Sequence, residues 1–159
     1  MAKLVREIVL KYKVRKPTKA EEKNGYLEKV SNPEEAVNAF RDLADEGVEN
    51  FACLYLNSKN QVLVKQLLSI GTVNQVNPAI REIFRYALAC DAVSVIVGHN
   101  HPNSDSTPSI QDKEFTRNLV KAGEALNIKV LDHIVVSRDL QTGEFKYNIL
   151  SNERWFHFL

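Results

Sequence analysis

Only four histidines occur in the 159 residues, and His99 and His101 stand one residue apart in the stretch "IVGHNHPNSDSTPSIQD" at positions 96–112. Imidazole nitrogens are common metal ligands, and in an extended chain side-chain direction repeats every two residues, so this pair can converge on one point. A catalytic zinc asks for three nitrogen or carboxylate-oxygen ligands and an open fourth position. Asp112 supplies the third if the intervening segment folds back. Pro102, Pro108 and the run Asn103, Ser104, Asp105, Ser106, Thr107 are turn formers that suit a rigid loop of that kind. Taken alone, His-x-His fits equally well two structural histidines, one facing solvent and one capping the loop.

The elements that must position these residues can be read around them. "AVSVIVG", directly before His99, is short, β-branched and apolar on both parities, which predicts a central strand covered on both faces. From Ser109 a helix is expected, with Ile110, Phe115, Leu119, Ala122 and Leu126 inward and Asp112, Lys113 and Glu114 in its first turns. "IKVLDHIVVS" and "FKYNIL" predict strands on either side of the turn "RDLQTGE".

Upstream, "SNPEEAVNAFRDLADEGVEN" predicts a helix capped by Asn32, with Pro33 in its first turn, Glu34 and Glu35 at its positive end, and Gly47 after its last turn. Its inward face is Ala36, Val37, Phe40, Leu43 and Ala44. "FACLYL" and "VLVKQLL", joined by the polar "NSKNQ", predict a pair of strands. In "NPAIREIFRYALACD", Ile80, Ile83, Phe84, Ala87 and Leu88 follow helical spacing and predict a second amphipathic helix. At the N-terminus, the alternation of Leu4, Ile8, Leu10, Tyr12 and Val14 with Val5, Glu7, Val9, Lys11 and Lys13 predicts a half-buried strand followed by a linker. The expected fold class is α/β (α+β): a single domain with a mixed sheet between helices over residues 31–159, preceded by a basic strand and linker over residues 1–30.

Composition narrows the function classes. With 44% hydrophobic residues the chain can bury a core without disulfides. Cys53 and Cys90 lie in apolar segments without Cys-x-x-Cys spacing, so buried free thiols are expected rather than a disulfide framework or a cysteine-ligated zinc. No apolar run reaches the roughly 20 residues that span a bilayer, and charges interrupt the N-terminal apolar segment, so a soluble cytoplasmic protein is expected, with no membrane partner. Net charge is +1, but residues 1–30 hold nine Lys/Arg against four Asp/Glu, leaving a negative balance on the rest. Such an arm could touch DNA, or simply be a solvated edge strand.

Adding Ser109 and Asp112 makes the pattern His-x-His, seven residues, Ser-x-x-Asp, which resembles the JAMM motif of the JAB1/MPN metallopeptidases. The longer stretch "GHNHPNSDSTPSIQDKEFTRNLVKAGEALNIKVLDHIVV" looks like the bacterial RadC-like JAB domain, with an HNHPSGDPTPSxxD loop, a helix and a "LLDHIII"-like strand. "GVENFACLYLNSKNQVL" and "SIGTVNQ" also match that pattern, so the similarity covers about residues 32–150. Departures are confined to Asn103-Ser104 for Ser-Gly, Ser106 for Pro, and Ala79-Ile80 for His-Pro; they change loop shape and leave the ligand positions intact. Longer proteins of this family carry a helix-hairpin-helix region that the pattern here does not include.

The resemblance implies a JAB/MPN, cytidine-deaminase-like architecture and a zinc ion (Zn2+) held by His99, His101 and Asp112. It implies a general base at Glu49, with Glu82 as the alternative, and Ser109 as a donor to a developing oxyanion, a position that would equally suit a helix cap. His133 matches a family position that is not a ligand and is expected to be buried and hydrogen-bonded. The implied activity is zinc-dependent peptide or isopeptide hydrolysis on a peptide or protein substrate. The alternative is a DNA-repair-associated module that binds nucleic acid or protein, its metal site structural or vestigial. Deaminase-type zinc sites need Pro-Cys-x-x-Cys, which is absent, and His-x-His amidohydrolases use barrels of about 250 residues. An oligomer is compatible with the sequence, and "ERWFHFL" is expected to pack on the core or on a partner chain.

Overall fold

The computed structural model describes residues 28–70, 78–154 and 156, with Lys16 and Lys19 as isolated positions. The N-terminal strand expected over Leu4–Val14, most of the basic arm, "GTVNQV", Trp155 and His157 lie outside the described residues. The described part begins already engaged with the fold: Lys29 bridges to Gln61 and Val30 is buried.

Helix α1, Pro33–Phe40, starts as its residues dictate. The Asn32 side chain accepts a hydrogen bond from the Glu35 amide at 2.9 Å, Pro33 occupies the first turn, and the last turn tightens into a 3-10 segment over Arg41–Asp45. Strands β1 (Asn50–Leu56) and β2 (Val62–Ile70) form the expected antiparallel pair. Helix α2 (Ile80–Ala89) then leads to β3 (Ser94–Asn100), helix α3 (Ile110–Leu126) to β4 (Lys129–Arg138), and a tight turn to β5 (Phe145–Ile149). The sheet order is β2-β1-β3-β4-β5. The β3 and β4 strands are parallel, which requires a crossover, and α3 provides it; the other neighbours are antiparallel. The result is a single α+β domain with a mixed sheet between helices, as expected.

Each face of the sheet has its own core. On one, Ala36, Val37 and Phe40 of α1 pack on Leu54, Ile96, Ile134 and Val136; on the other, Ile83 and Phe84 of α2 and Phe115 and Leu119 of α3 pack on Phe51, Cys53, Val95 and Val97. Every residue of β1 and β3 is buried, as the apolar runs require of central strands.

Two helical faces turn differently from the sequence expectation. In α3 the buried stripe is Asp112, Phe115, Thr116, Leu119 and Gly123, while Ile110 and Leu126 are 81% and 44% exposed. The first turn of α3 faces a polar site, so a stripe drawn through apolar residues alone comes out rotated. In α2, Leu88 is 56% exposed because it lies at the margin of the stripe made by Ile80, Ile83, Phe84 and Ala87.

Candidate metal centre

Strand pairing brings the upstream carboxylate to the histidines. In the antiparallel β1–β3 register Ala52 stands opposite Gly98 and Phe51 opposite His99, so two residues further back Glu49 falls level with His101. Glu49, Phe51, His99 and His101 share the parity that faces α3. The Phe51 ring is stacked parallel to His99, centroids 5.8 Å apart.

Asn100, between the two histidines, faces the opposite way and fixes the segment that carries Glu49. Its Oδ1 accepts from the Asn50 amide at 2.7 Å, and its Nδ2 donates to the Glu46 and Val48 carbonyls at 3.2 and 3.0 Å. The residue is fully buried, so these bonds are shielded from competing water.

Asp112 arrives on the first turn of α3 through a reciprocal cap. Ser109 accepts from the Asp112 amide at 3.1 Å, while Asp112 Oδ2 accepts from the Ser109 amide at 2.8 Å and the Ser109 hydroxyl at 2.6 Å. The Ser109 hydroxyl is therefore engaged, and donation to any other group would require it to leave Asp112.

The four side chains meet. Glu49, His99, His101 and Asp112 each offer one ligand atom, all within 4.8 Å of one another. His99 Nε2 lies 3.1 Å from His101 Nε2 and 3.3 Å from Asp112 Oδ1, and His101 Nε2 lies 3.4 Å from Asp112 Oδ2. A cation bound at about 2.0–2.1 Å in a tetrahedron has ligand atoms about 3.3–3.4 Å apart, so these separations suit a shared metal. Glu49 Oε1 is further back, 3.8 Å from His99 Nε2, and its side chain is 27% exposed, so the Glu49 side of the cluster opens to solvent. Glu82 is elsewhere, on α2, paired with Arg85 at 3.6 Å.

The donor set also fits a cation by its chemistry. His101 Nδ1 is 2.9 Å from the Asp105 carbonyl, which can only accept, so the ring proton resides there and a neutral His101 turns a bare Nε2 to the cluster. Burial works against a charge on His101, but the hydrogen bond and charge of Asp112, the Asp105 carbonyl and Glu49 together raise its proton affinity. Burial likewise opposes ionisation of Asp112, yet His101, His99 and Ser109 hold its carboxyl well below the usual range. At Glu49 burial dominates and raises the carboxyl, with His99 and His101 pulling it back in part. The field in this pocket attracts positive charge.

His133, on β4, completes the inner wall. A one-residue offset in the β3–β4 register between Val95 and Ile96 changes the parity of β4, so Val130 and His133 face the same side although three residues apart. His133 is fully buried, its Nε2 2.8 Å from His99 Nδ1 and its Nδ1 2.6 Å from Thr116 Oγ1. Burial, and then the neighbouring His99, push its pKa well below the usual imidazole range and so oppose a charge on it. The expectation of a buried, hydrogen-bonded histidine is met. Asn100 and Thr116 were not singled out in the sequence. The available signal for Thr116 was its place one helical turn after Asp112, and for Asn100 its parity, opposite to the histidines.

Among known proteins, the chain is 47% identical over 95 residues to the UPF0758 protein of Desulforamulus reducens, covering 60% of this chain and 42% of that protein. It is 40% identical over 126 residues to the UPF0758 protein of Carboxydothermus hydrogenoformans, covering 79% and 53%. With the UPF0758 protein YsxA of Bacillus subtilis it shares 42% identity over 108 residues, covering 67% and 47%. The chain thus spans about half the length of the curated relatives it matches. Residues 30–145 match the family model for the RadC-like JAB domain, and the chain belongs to that family.

Proposed function

We infer that this chain is a zinc-dependent hydrolase of peptide or isopeptide bonds, with His99, His101 and Asp112 as metal ligands and Glu49 as general base. The observation that carries the reading is the convergence of the four ligand atoms within 4.8 Å, with Glu49 on the side open to solvent. Bound there, zinc supplies Lewis acidity that polarises a scissile carbonyl and acidifies a water. Glu49 takes a proton from the attacking water and returns it to the leaving amine; a carboxyl raised by burial is better matched to both transfers than an ordinary one. Ser109 serves as oxyanion donor by exchanging its bond to Asp112 for one to the substrate, and caps α3 the rest of the time. The substrate is a peptide or protein segment. A reducing, cytoplasmic setting suits the free thiols of Cys53 and Cys90.

The test is to incubate zinc-loaded protein with peptide and isopeptide libraries and read cleavage by mass spectrometry. Glu49→Gln should keep its zinc while cleavage falls about 100- to 10,000-fold. Full activity of Glu49→Gln on a verified substrate would remove Glu49 from this role. A zinc-loaded wild type that cleaves nothing, yet binds DNA with a salt dependence that survives chelation, would replace the hydrolase reading with a nucleic-acid-binding one.

A further inference from the structure

His99 is the one proposed ligand whose second ring nitrogen meets another imidazole rather than a carbonyl, and what lies behind that imidazole decides where the protons are. Three buried groups form a line: Thr116 Oγ1 is 2.6 Å from the Asp112 carbonyl and 2.6 Å from His133 Nδ1, and His133 Nε2 is 2.8 Å from His99 Nδ1. Thr116, His133 and His99 are all fully buried, and Phe51 and Phe115 lie against His133.

Proton counting gives the line a single direction. A carbonyl only accepts, so the lone Thr116 proton goes to Asp112. With its proton used, Thr116 can only accept from His133, which places the His133 proton on Nδ1. A neutral imidazole has one N–H and one lone pair, so His133 Nε2 accepts and His99 Nδ1 donates. His99 Nε2 is then left bare, facing His101, Asp112 and Glu49. The reverse order would leave the Thr116 and Asp112 oxygens 2.6 Å apart without a proton between them in a buried place.

We propose that Thr116 and His133 are positioning residues that lock His99 in the tautomer with the proton on Nδ1 and Nε2 free for a metal. The relay ends on the backbone of Asp112, so the turn that supplies one ligand also orients another. This inference rests on the metal reading above for its consequence, though the tautomer itself can be read without metal.

The experiment uses histidine-labelled protein stripped of metal, at a pH of about 9 where free imidazoles are neutral. Long-range proton–nitrogen spectra report which nitrogen of His99 carries hydrogen, and competition with a chromophoric chelator gives zinc affinity. The wild type should show His99 protonated on Nδ1. Thr116→Val removes the acceptor, frees the His133 proton to move to Nε2 and pushes His99 toward the opposite tautomer, with zinc affinity falling about 10- to 100-fold. Thr116→Ser restores the hydroxyl and should restore both readouts, which a purely steric role for the threonine would not predict. His133→Phe should weaken zinc to a similar degree, with its fold checked by circular dichroism. Wild-type His99 protonated on Nε2 would overturn the proposal, as would unchanged zinc affinity in folded Thr116→Val. A wild type that shows the Nδ1 proton but binds no zinc would leave the relay standing and remove the metal reading instead.

Discussion

Strand β3 presents Ile96, Gly98 and Asn100 to one side of the sheet and Val95, Val97 and His99 to the other, and the two sides meet very different partners. Beneath the first, α1 lies so close that a Cβ built on Gly98 would be 2.6 Å from the Phe40 ring. On the second, apolar packing against α2 and α3 runs as far as Phe51 and Phe115 and then gives way to His99, His133, Thr116 and Asp112, which are buried and bonded to one another. Burying polar groups is tolerable only when each is satisfied, and here each is, apart from the lone pairs that converge on one point. The close-packed side acts as a rigid backing; the polar side holds the candidate metal site.

Substitutions on the two sides should therefore fail in different ways. The largest effect is expected from Asp112→Ala, which removes a proposed ligand and half of the α3 cap together. Zinc affinity should fall by more than the roughly 100-fold typical of changes outside the ligand set, read by chelator competition. On the other side, Gly98→Ala forces a methyl into the Phe40 ring and should cost about 1–3 kcal/mol in denaturant unfolding, while the folded fraction keeps its metal. Asn100→Ala bridges the two behaviours. It strips partners from the Asn50 amide and the Glu46 and Val48 carbonyls, which should cost about 1–3 kcal/mol, and, on the proposed role of Glu49, it should lower cleavage through a displaced Glu49 while zinc binding persists.

The smallest effect lies far from this comparison, in the β4–β5 turn. Asp139 accepts from Lys146 Nζ and from the Thr142 and Gln141 amides, and these hold its carboxyl below the usual range. A depressed folded pKa stabilises above the unfolded value of about 3.9 and loses that contribution as pH falls through the folded value. Asp139→Asn should therefore unfold at a slightly lower temperature than wild type at neutral pH, the gap closing below pH of about 3. Lys146 is 38% exposed and Asp139 19%, so solvent screens the pair and the gap is small.

How much of this was readable in the sequence depended on whether a feature has a period. The described helices follow a period of 3.6 and the central strands β1 and β3 are continuous apolar runs, and they emerge where the apolar residues place them. The inward face of α3 did not, because its first turn is turned toward His99 and His133 by Asp112 and Thr116, residues a hydrophobic pattern ignores. Nor did the parity change that turns His133 toward His99, since an extra residue in a strand leaves no mark in "KVLDHIVVS". The spacing of His99, His101 and Asp112 announced itself through residue type. Glu49 needed the β1–β3 register, a long-range fact that local spacing does not contain, and came from the family resemblance instead. Asn100 and Thr116 act through backbone carbonyls and amides, which one-letter text does not display.

Whether the paired histidines form a metal site is decided by metal content, measured by elemental mass spectrometry. Wild type and His99→Ala are purified without a chelator or a histidine tag, then measured before and after zinc is added back. Close to one zinc per wild-type chain is expected, with none retained by His99→Ala. A folded wild type that holds no metal even after zinc is restored would contradict a metal site at these histidines.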